Sequence, residues 1–240
     1  MGKTNGGSAA VRTENLWKIF DQEAEEVQAV RDVSLTIEAG EFTALAGPSG
    51  SGKTTLLNLI GGLTKATRGS IWVAGRDITK MSNRELATLR LEHVGFIFQA
   101  YNLLPVLSAQ ENAEFPLLLR GMEKSDREQR VQKLFERTGL SGLEHRRPGK
   151  LSGGQQQRVA VIRAVVGEPA LVLADEPTAN LDSSASDALL GVMEELNQEL
   201  GTTFVFATHD PRVMERSRRL IRLVDGAIDS DERRQREPEN

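Results

Sequence analysis

The chain contains no cysteine among its 240 residues, which excludes disulfides and thiolate metal sites. No apolar run reaches the ~18–20 residues of a membrane-spanning helix, so we expect no direct membrane span. Residues 1–10 lack the apolar core of a signal peptide. The net charge of −4 gives no general attraction for nucleic acid, so we expect no nucleic-acid partner. A hydrophobic content of 39% allows a sizeable core.

A phosphate-binding motif, G-x-x-x-x-G-K-[ST], occupies residues 47–54. An apolar strand is predicted just before it, and a helix just after it. This order aims backbone N–H groups and a helix dipole at one point, which suits a phosphate. Lys53 is expected to reach the β- and γ-phosphates, and the Thr54 hydroxyl to hold Mg²⁺. The residues predicted to bind nucleotide here are Gly47, Pro48, Ser49, Gly50, Ser51, Gly52, Lys53, Thr54 and Thr55.

Polar residues also follow three other predicted strands. Asp175 and Glu176 end one apolar run, His209 follows another, and Gln99 follows a third. Parallel strands bring their carboxyl ends to one edge of a sheet, where ligands bind. Asp175 then suits Mg²⁺, Glu176 the attacking water as a base, His209 the γ-phosphate, and Gln99 either Mg²⁺ or the water. An acidic turn, a structural histidine and an ordinary polar loop remain the alternatives.

The order of predicted elements indicates the fold class. Alternating polarity over 15–37 predicts antiparallel strands joined by an acidic turn at 21–26. Strands that alternate with helices predict a parallel sheet. We therefore predict an α/β fold: a P-loop NTPase parallel-sheet core with an antiparallel β subdomain and a helical subdomain inserted at about 100–167. The domain is expected to span 11–228, between a disordered tail at 1–10 and a loose, charged tail at 229–240.

A second anion-binding helix start is predicted at residues 151–155, which we name the signature turn. It reads Leu151, Ser152, Gly153, Gly154 and Gln155. A serine and two glycines that open a helix can bind an anion at the helix N-terminus. A helix cap alone would explain Ser152 and the glycines equally well.

Together these motifs resemble the ATP-binding cassette (ABC) subunit of a transporter, over about residues 11–228. The matching segments are 47–54 as Walker A, Gln99 as the Q-loop, 151–155 as the ABC signature, 171–175 as Walker B, 179–182 as the D-loop and His209 as the switch histidine. Residues 94–99, 102–105 and 175–182 are similar to the lipoprotein-release and macrolide-efflux branch.

The resemblance implies an ATPase that uses ATP and Mg²⁺ and forms a head-to-tail homodimer. Ser152 and Gly154, within a signature that includes Gly153 and Gln155, would then contact the γ-phosphate of the partner's ATP. Asp182 would cross the dimer seam, and Glu176, His209, Lys53 and Gln99 would be catalytic. Phe20 matches the position where the family stacks a tyrosine on adenine, and core packing is the alternative for it.

The resemblance also implies a separate transmembrane permease subunit and a place on the cytoplasmic face of the inner membrane. The permease would dock near apolar residues between Leu103 and Leu119, most of which we expect to be core, with a few near 103–107 exposed. The function implied is export or membrane extraction. The alternative is a regulatory ABC ATPase, of the cell-division type, that signals to an envelope partner. A coiled-coil chromosome ATPase is disfavoured because the segment from Lys53 to Leu151 is too short.

Overall fold

The computed structural model describes residues 9–22 and 25–234, which form two sheets and a set of helices. In chain order the elements are β1 (Ala9–Gln22), β2 (Glu25–Glu38), β3 (Phe42–Ala46), α1 (Lys53–Ile60), β4 (Arg68–Val73), β5 (Arg76–Asp77), α2 (Asn83–His93), β6 (Val94–Ile97), α3 (Ala109–Leu119), α4 (Lys124–Arg137), a 3-10 turn (Pro148–Lys150), α5 (Gly153–Val165), β7 (Leu171–Asp175), α6 (Ser183–Leu200), β8 (Thr203–Thr208), α7 (Pro211–Arg216), β9 (Arg219–Val224) and β10 (Ala227–Arg233).

The larger sheet has the order β10-β9-β3-β8-β7-β6. Strands β9, β3, β8, β7 and β6 are parallel, and β10 is antiparallel to β9. Every residue of β3 and of β8 is buried. Strands covered on both faces are continuous apolar runs rather than alternating ones. This pattern allowed both strands to be predicted from the sequence.

The hydrophobic core lies on both sides of the larger sheet. On one side, helix α1 places Leu56, Leu57 and Ile60 between β3 and the antiparallel sheet β2-β1-β4-β5. On the other side, Leu189 and Met193 of α6 pack with Phe42, Phe204 and other sheet residues. Because β3, β7 and β8 are parallel, their carboxyl ends lie at one edge of the sheet.

The antiparallel strands predicted over 15–37 are present as β1 and β2. Their pairing runs from Ala9 opposite Glu38 to Gln22 opposite Glu25, so the ladder extends through much of the predicted acidic turn. The two residues between these strands lie outside the described part of the chain.

Helices α3, α4 and α5 lie between β6 and β7 in the chain and share a core that includes Leu117, Phe135 and Val159. Helix α3 starts with a capping box made by Ser108 and Glu111, which the sequence analysis missed. Helix α4 begins at Lys124 after Glu123, which makes no side-chain cap.

The charged tail predicted from residue 229 is wrong as far as Arg233, because Ala227–Arg233 forms β10. The buried guanidinium of Arg219 explains the strand's position. It donates to the Asp231 carboxylate at 2.8 and 2.7 Å and to Glu41 at 3.0 Å. The hydrogen bonds from Arg219 lower the pKa of Asp231. At the other end, Ala9 and Ala10 of the predicted 1–10 tail belong to β1. Residues 1–8 and 235–240 lie outside the described residues.

Candidate active site

A cavity of about 890 Å³ opens at the edge of the larger sheet, beside the start of α1. We name it the nucleotide cavity. It brings together most of the residues that the sequence predicted to act on nucleotide. Its lining includes Pro48, Ser49, Gly50, Gly52, Lys53, Thr54, Thr55, Gln99, Glu176 and His209.

The loop from Gly47 to Gly52 requires glycine where other backbone approaches it. A Cβ atom on Gly47 would lie 2.2 Å from the Leu223 carbonyl oxygen, and one on Gly52 would lie 2.2 Å from that of Ala29. Gly52 also has a φ of 95°, in the left-handed region. The neighbouring strands therefore fix the loop's shape, and a side chain at either glycine would displace it.

Lys53 is held inside this loop with its ammonium near backbone oxygens. Its Nζ atom donates to the carbonyl oxygens of Gly47 at 2.9 Å and Pro48 at 2.8 Å. The side chain is largely buried, with the residue only 8% exposed. Among the described residues its hydrogen-bond acceptors are neutral carbonyls, so the ammonium forms no direct ion pair and suits an anion at the loop.

Thr54 and Asp175 meet across the cavity edge, although 121 positions separate them in the chain. The Thr54 hydroxyl donates to Asp175 Oδ1 at 2.9 Å. Burial raises the pKa of Asp175, and the Thr54 hydrogen bond and the Lys53 charge partly oppose that rise. A partly buried carboxylate thus lies beside an exposed hydroxyl, and both offer the oxygen ligands that Mg²⁺ prefers.

Glu176 is the next residue, and its side chain turns to the end of the neighbouring strand β8. Its carboxylate lies 2.7 Å from His209 Nδ1 and accepts a hydrogen bond from the Thr208 hydroxyl at 3.1 Å. Its φ of 47° is rare for a residue with a Cβ. The Glu176 side chain is 17% exposed and that of His209 73%, so the carboxylate is partly shielded while the imidazole faces the opening.

Gln99 lies at the cavity wall and is exposed. Its backbone carbonyl accepts a hydrogen bond from Asn180 Nδ2 at 2.9 Å. Asn180 belongs to the D-loop segment, so that segment fixes the backbone of Gln99 while its amide side chain faces the cavity.

The signature turn does not line the nucleotide cavity. The Ser152 hydroxyl accepts from the Gln155 N–H at 3.3 Å, and the Ser152 N–H donates to Gln155 Oε1 at 2.9 Å, which completes a capping box. Ser152 is exposed. Asp182 is also outside the cavity, where its carboxylate caps α6 through the Ala185 N–H at 2.8 Å. These residues thus lie outside the cavity that the chain's own phosphate loop lines.

Phe20 is likewise outside the cavity lining. It is 38% exposed, and Lys18 Nζ lies 4.7 Å from its ring centroid. Its cross-strand partner Val27 does line the cavity. Adenine stacking by Phe20 therefore stays a prediction.

The sequence analysis missed five residues of the lining, which are Val27, Gln28, Ala29, Arg31 and Asp225. The Asp225-Gly226 turn reaches the phosphate loop, because the Gly226 N–H donates to the Ser51 carbonyl at 3.1 Å. An Asp-Gly pair between two apolar runs is a hairpin signal in the sequence. The contact between that hairpin and Ser51, which lies 175 positions before Gly226, has no such signal in the sequence.

A second, apolar cleft of about 390 Å³ lies beside Gln99's strand, between α2 and α3. Its apolar lining includes Leu63, Leu91, Phe96, Phe98, Phe115 and Leu119. Most of the apolar residues at 103–119 were expected to be core, with a few near 103–107 exposed. The exposure near 103–107 is confirmed by Leu104 and Val106, but the expectation for the rest is wrong. Of the apolar residues at 103–119, Leu104 (41%), Val106 (71%), Leu118 (49%) and Leu119 (58%) are exposed.

The helical period explains the error. Helix α3 buries Ala109, Ala113 and Leu117, which are spaced four apart, against its neighbours. Leu118 and Leu119 lie off that stripe and remain on the surface. Leu119 is both exposed and part of the cleft lining, so the cleft reaches the surface there as an apolar face beside α3.

Comparison with known proteins identifies relatives along nearly the whole chain. A family described as ABC transporter matches residues 30–179. The lipoprotein-releasing system ATP-binding protein LolD of Alcanivorax borkumensis is 43% identical over 224 residues, covering 93% of this chain and 98% of that protein. The macrolide export ATP-binding/permease protein MacB of Hyphomonas neptunium is 48% identical over 206 residues, which are 86% of this chain and 32% of that protein.

The same family appears among solved structures. A dimeric structure of a post-hydrolysis state of the ATP-binding cassette MJ0796, bound to ADP and Pi, matches with a TM-score of 0.87 and 37% identity, covering 94% of this chain and 99% of that one. The predicted fold class and the predicted branch are both confirmed. The chain belongs to the ABC transporter family, and it is an ATP-hydrolysing cassette of that family.

Proposed function

We propose that this cassette powers export, or extraction of a molecule from the membrane, as a head-to-tail homodimer bound to a separate permease. One observation carries the dimer: the phosphate loop and the signature turn do not share a cavity within the chain. A second copy can supply the missing signature, so that each ATP lies between one chain's loop and its partner's Ser152. The dimeric structure of MJ0796 bound to ADP and Pi supports this proposal.

In the proposed reaction, a water attacks the γ-phosphorus of ATP and the bond to the β-phosphate oxygen breaks, giving ADP and phosphate. Glu176 accepts the water's proton, for which its partly shielded carboxylate is suited. Lys53 and His209 bind the phosphate oxygens, and Gln99 orients the water. Because Glu176 is paired with His209 in the structure, the two must separate or turn when ATP and water enter.

Mg²⁺ is the metal that the residues fit, with Thr54 Oγ1 and Asp175 as its protein contacts. The two oxygens are 2.9 Å apart, the Asp175 carboxylate is partly desolvated, and both are hard ligands. When bound, the ion would neutralise charge on the ATP phosphates. Gln99 at the same wall is the further oxygen donor that we predicted.

The apolar face beside α3 is the proposed docking site for the permease. The described residues include no helix long and apolar enough to cross a bilayer, and the MacB relative joins an ATP-binding part and a permease in one protein. An apolar face of this kind marks an interaction site. The proposed place of the subunit is the cytoplasmic face of the inner membrane.

Mixing two inactive variants tests the shared site. Lys53→Ala removes the phosphate-loop ammonium, and Ser152→Arg blocks the signature turn, so each variant alone should lose turnover. A mixed dimer keeps one intact pair, formed by the loop of the Ser152→Arg chain and the signature of the Lys53→Ala chain. Phosphate release should therefore return on mixing. Mixing Lys53→Ala with Lys53→Arg is the control, and it should stay inactive. Inactivity of the first mixture would contradict the head-to-tail site.

A docking experiment tests the permease. The cassette with an affinity tag is expressed in its own host, and detergent-solubilised membranes are captured on it. An integral membrane protein should copurify, and Leu119→Asp should reduce its yield strongly because a charge enters the apolar face. Glu195→Lys, an exposed change on α6, is the control. Equal yields from all three proteins would contradict docking at this face.

A further inference from the structure

The backbone just after Gln99 is strained. Tyr101 has a φ of 60° and Asn102 a φ of 49°, so two consecutive residues with side chains lie in the left-handed region. Such conformations persist only when the surroundings hold them, and they concentrate at functional sites. The segment 99–102 therefore needs an anchor.

Arg163 is that anchor. Its Nη2 atom donates to the Tyr101 carbonyl at 2.7 Å, and its Nη1 atom donates to the Asn102 carbonyl at 2.5 Å. Burial lowers the pKa of Arg163. In the part of the chain that the structure describes, no carboxylate forms an ion pair with it. The two Nη atoms of the guanidinium thus donate to two adjacent backbone carbonyls at once, which the planar fork of N–H groups allows.

Arg163 belongs to α5, the helix that starts at the signature turn. The same segment also touches the beginning of this helix: a Cβ atom on Gly153 would lie 2.9 Å from the Tyr101 hydroxyl oxygen. Tyr101 thus contacts α5 at its first turn through its side chain and near its last turn through its carbonyl. On the other side of Gln99, Asn180 holds the Gln99 carbonyl.

We propose that Arg163 is a positioning residue that ties Gln99 to the signature helix, so that engagement of the signature turn by a partner sets where Gln99 reaches in the nucleotide cavity. This inference rests on the proposed function. It connects the two nucleotides of a dimer: the helix that faces the partner's ATP holds the backbone beside the chain's own ATP.

A residue with the same chemistry provides a matched control. Arg120 is also partly buried, with its pKa lowered by burial, and its guanidinium also donates to carbonyls of other elements. Those carbonyls belong to Leu91, Glu92 and Gly167. None belongs to the segment 99–102. Arg120 therefore shares the structural role of Arg163 without the connection to Gln99.

The experiment is a pair of double-mutant cycles, with kcat and KM for ATP measured on the full chain and Tm measured beside them. Arg163→Met should lower kcat by about tenfold or more while KM for ATP changes by less than about twofold. In a Gln99→Ala background the same change should alter kcat by less than about twofold, because the residue through which Arg163 acts is already gone. Arg120→Met should change kcat by the same factor in both backgrounds.

Equal factors for Arg163→Met in both backgrounds would overturn the inference and leave a structural role only. If Arg163→Met does not fold, Arg163→Lys replaces it, and the same cycle is run. Lysine keeps the charge, but its side chain ends one bond short of the Nη atoms that reach the two carbonyls. The two proposals fail separately. A mixture of Lys53→Ala and Ser152→Arg that stays inactive removes the proposed function, whereas restored activity with additive Arg163 cycles removes only the positioning role.

Discussion

The nucleotide cavity and the signature turn differ in how far their side chains are already engaged. In the cavity, the polar groups contact one another: Thr54 with Asp175, Glu176 with His209, and Lys53 with its own loop. At the signature turn, Ser152 bonds to Gln155 of its own helix start, through both the backbone and the side chain, and is exposed. The cavity holds most of the groups that we propose to be catalytic, and the signature turn presents an exposed helix start.

This difference indicates which steps need one chain and which need two. Groups that have partners within the chain need only nucleotide to be rearranged, whereas the signature turn needs a second molecule. Changes in the cavity should therefore alter binding or chemistry in one chain. Changes at the signature turn should alter only what two chains do together.

The largest effect is expected from Glu176→Gln. Replacing the carboxylate keeps the shape but removes the base, so kcat should fall by about 10²–10⁴-fold. ATP should still bind, and a closed dimer should accumulate, visible as a shift to larger size in size-exclusion chromatography with ATP and no Mg²⁺. Glu195→Gln, on the exposed face of α6, is the control and should retain turnover. Normal ATP hydrolysis by Glu176→Gln would show that a group other than Glu176 is the base.

The contrast between regions becomes sharper in a binding measurement on dilute, monomeric protein. Lys53→Ala removes a charge-assisted contact worth about 1.5–3 kcal/mol, so ATP affinity should fall by roughly 10–100-fold. Ser152→Arg should leave ATP affinity within about twofold, because Ser152 is outside the cavity. Isothermal titration with ATP separates the two. A large loss of affinity in Ser152→Arg would mean that the signature turn contacts the chain's own nucleotide.

The smallest expected effect concerns stability. Burial raises the pKa of Asp175, so the folded chain holds this proton to higher pH than the unfolded chain does. Stability contributed by this group is therefore lost as pH rises from the unfolded pKa through the raised folded pKa. Asp175→Asn removes that loss and can still accept from Thr54. In EDTA at neutral pH its Tm should exceed that of the wild type by a few degrees, on the order expected for small changes in free energy.

The gain should disappear in acid, below both pKa values, where the wild-type carboxyl is also neutral. Thermal scans at several pH values measure this difference. The same variant should lose Mg²⁺-dependent turnover, because an amide is a poorer ligand than a carboxylate. A Tm below the wild type at neutral pH would show that the ionised carboxylate stabilises the empty site.

The sequence predicted those parts of the site that depend on local order. The glycines of 47–52, the strand ends at Asp175 and His209, and the cap at Ser152 each follow from a short segment and its neighbours. Parallel strands then necessarily bring their ends together. These features hold in the structure because the core strands are continuous apolar runs.

Other parts depend on distant contacts and were not predicted. Asp229–Arg233 looked like a charged tail because the partner of Asp231 is the buried Arg219, whose pairing also involves Glu41. Val27 and Asp225 line the cavity only because two hairpins reach the phosphate loop. The surface position of Leu118 and Leu119 depends on which stripe of α3 is buried, and several apolar positions compete for that stripe.

The position of β3 in the sheet has a consequence for synthesis of the protein. The strand that leads into the phosphate loop lies between β8 and β9, and Thr43 pairs with Val205 and Arg219. A ribosome makes about 5–20 residues per second. The phosphate loop therefore leaves the ribosome roughly 10–30 s before β8 and β9, the strands that flank β3. A newly made chain thus contains the phosphate loop for many seconds before β8 and β9 can pair with β3. During that interval the apolar segment 42–46 is exposed to chaperones and to aggregation, and the phosphate loop gains its final setting only once β8 and β9 have been made.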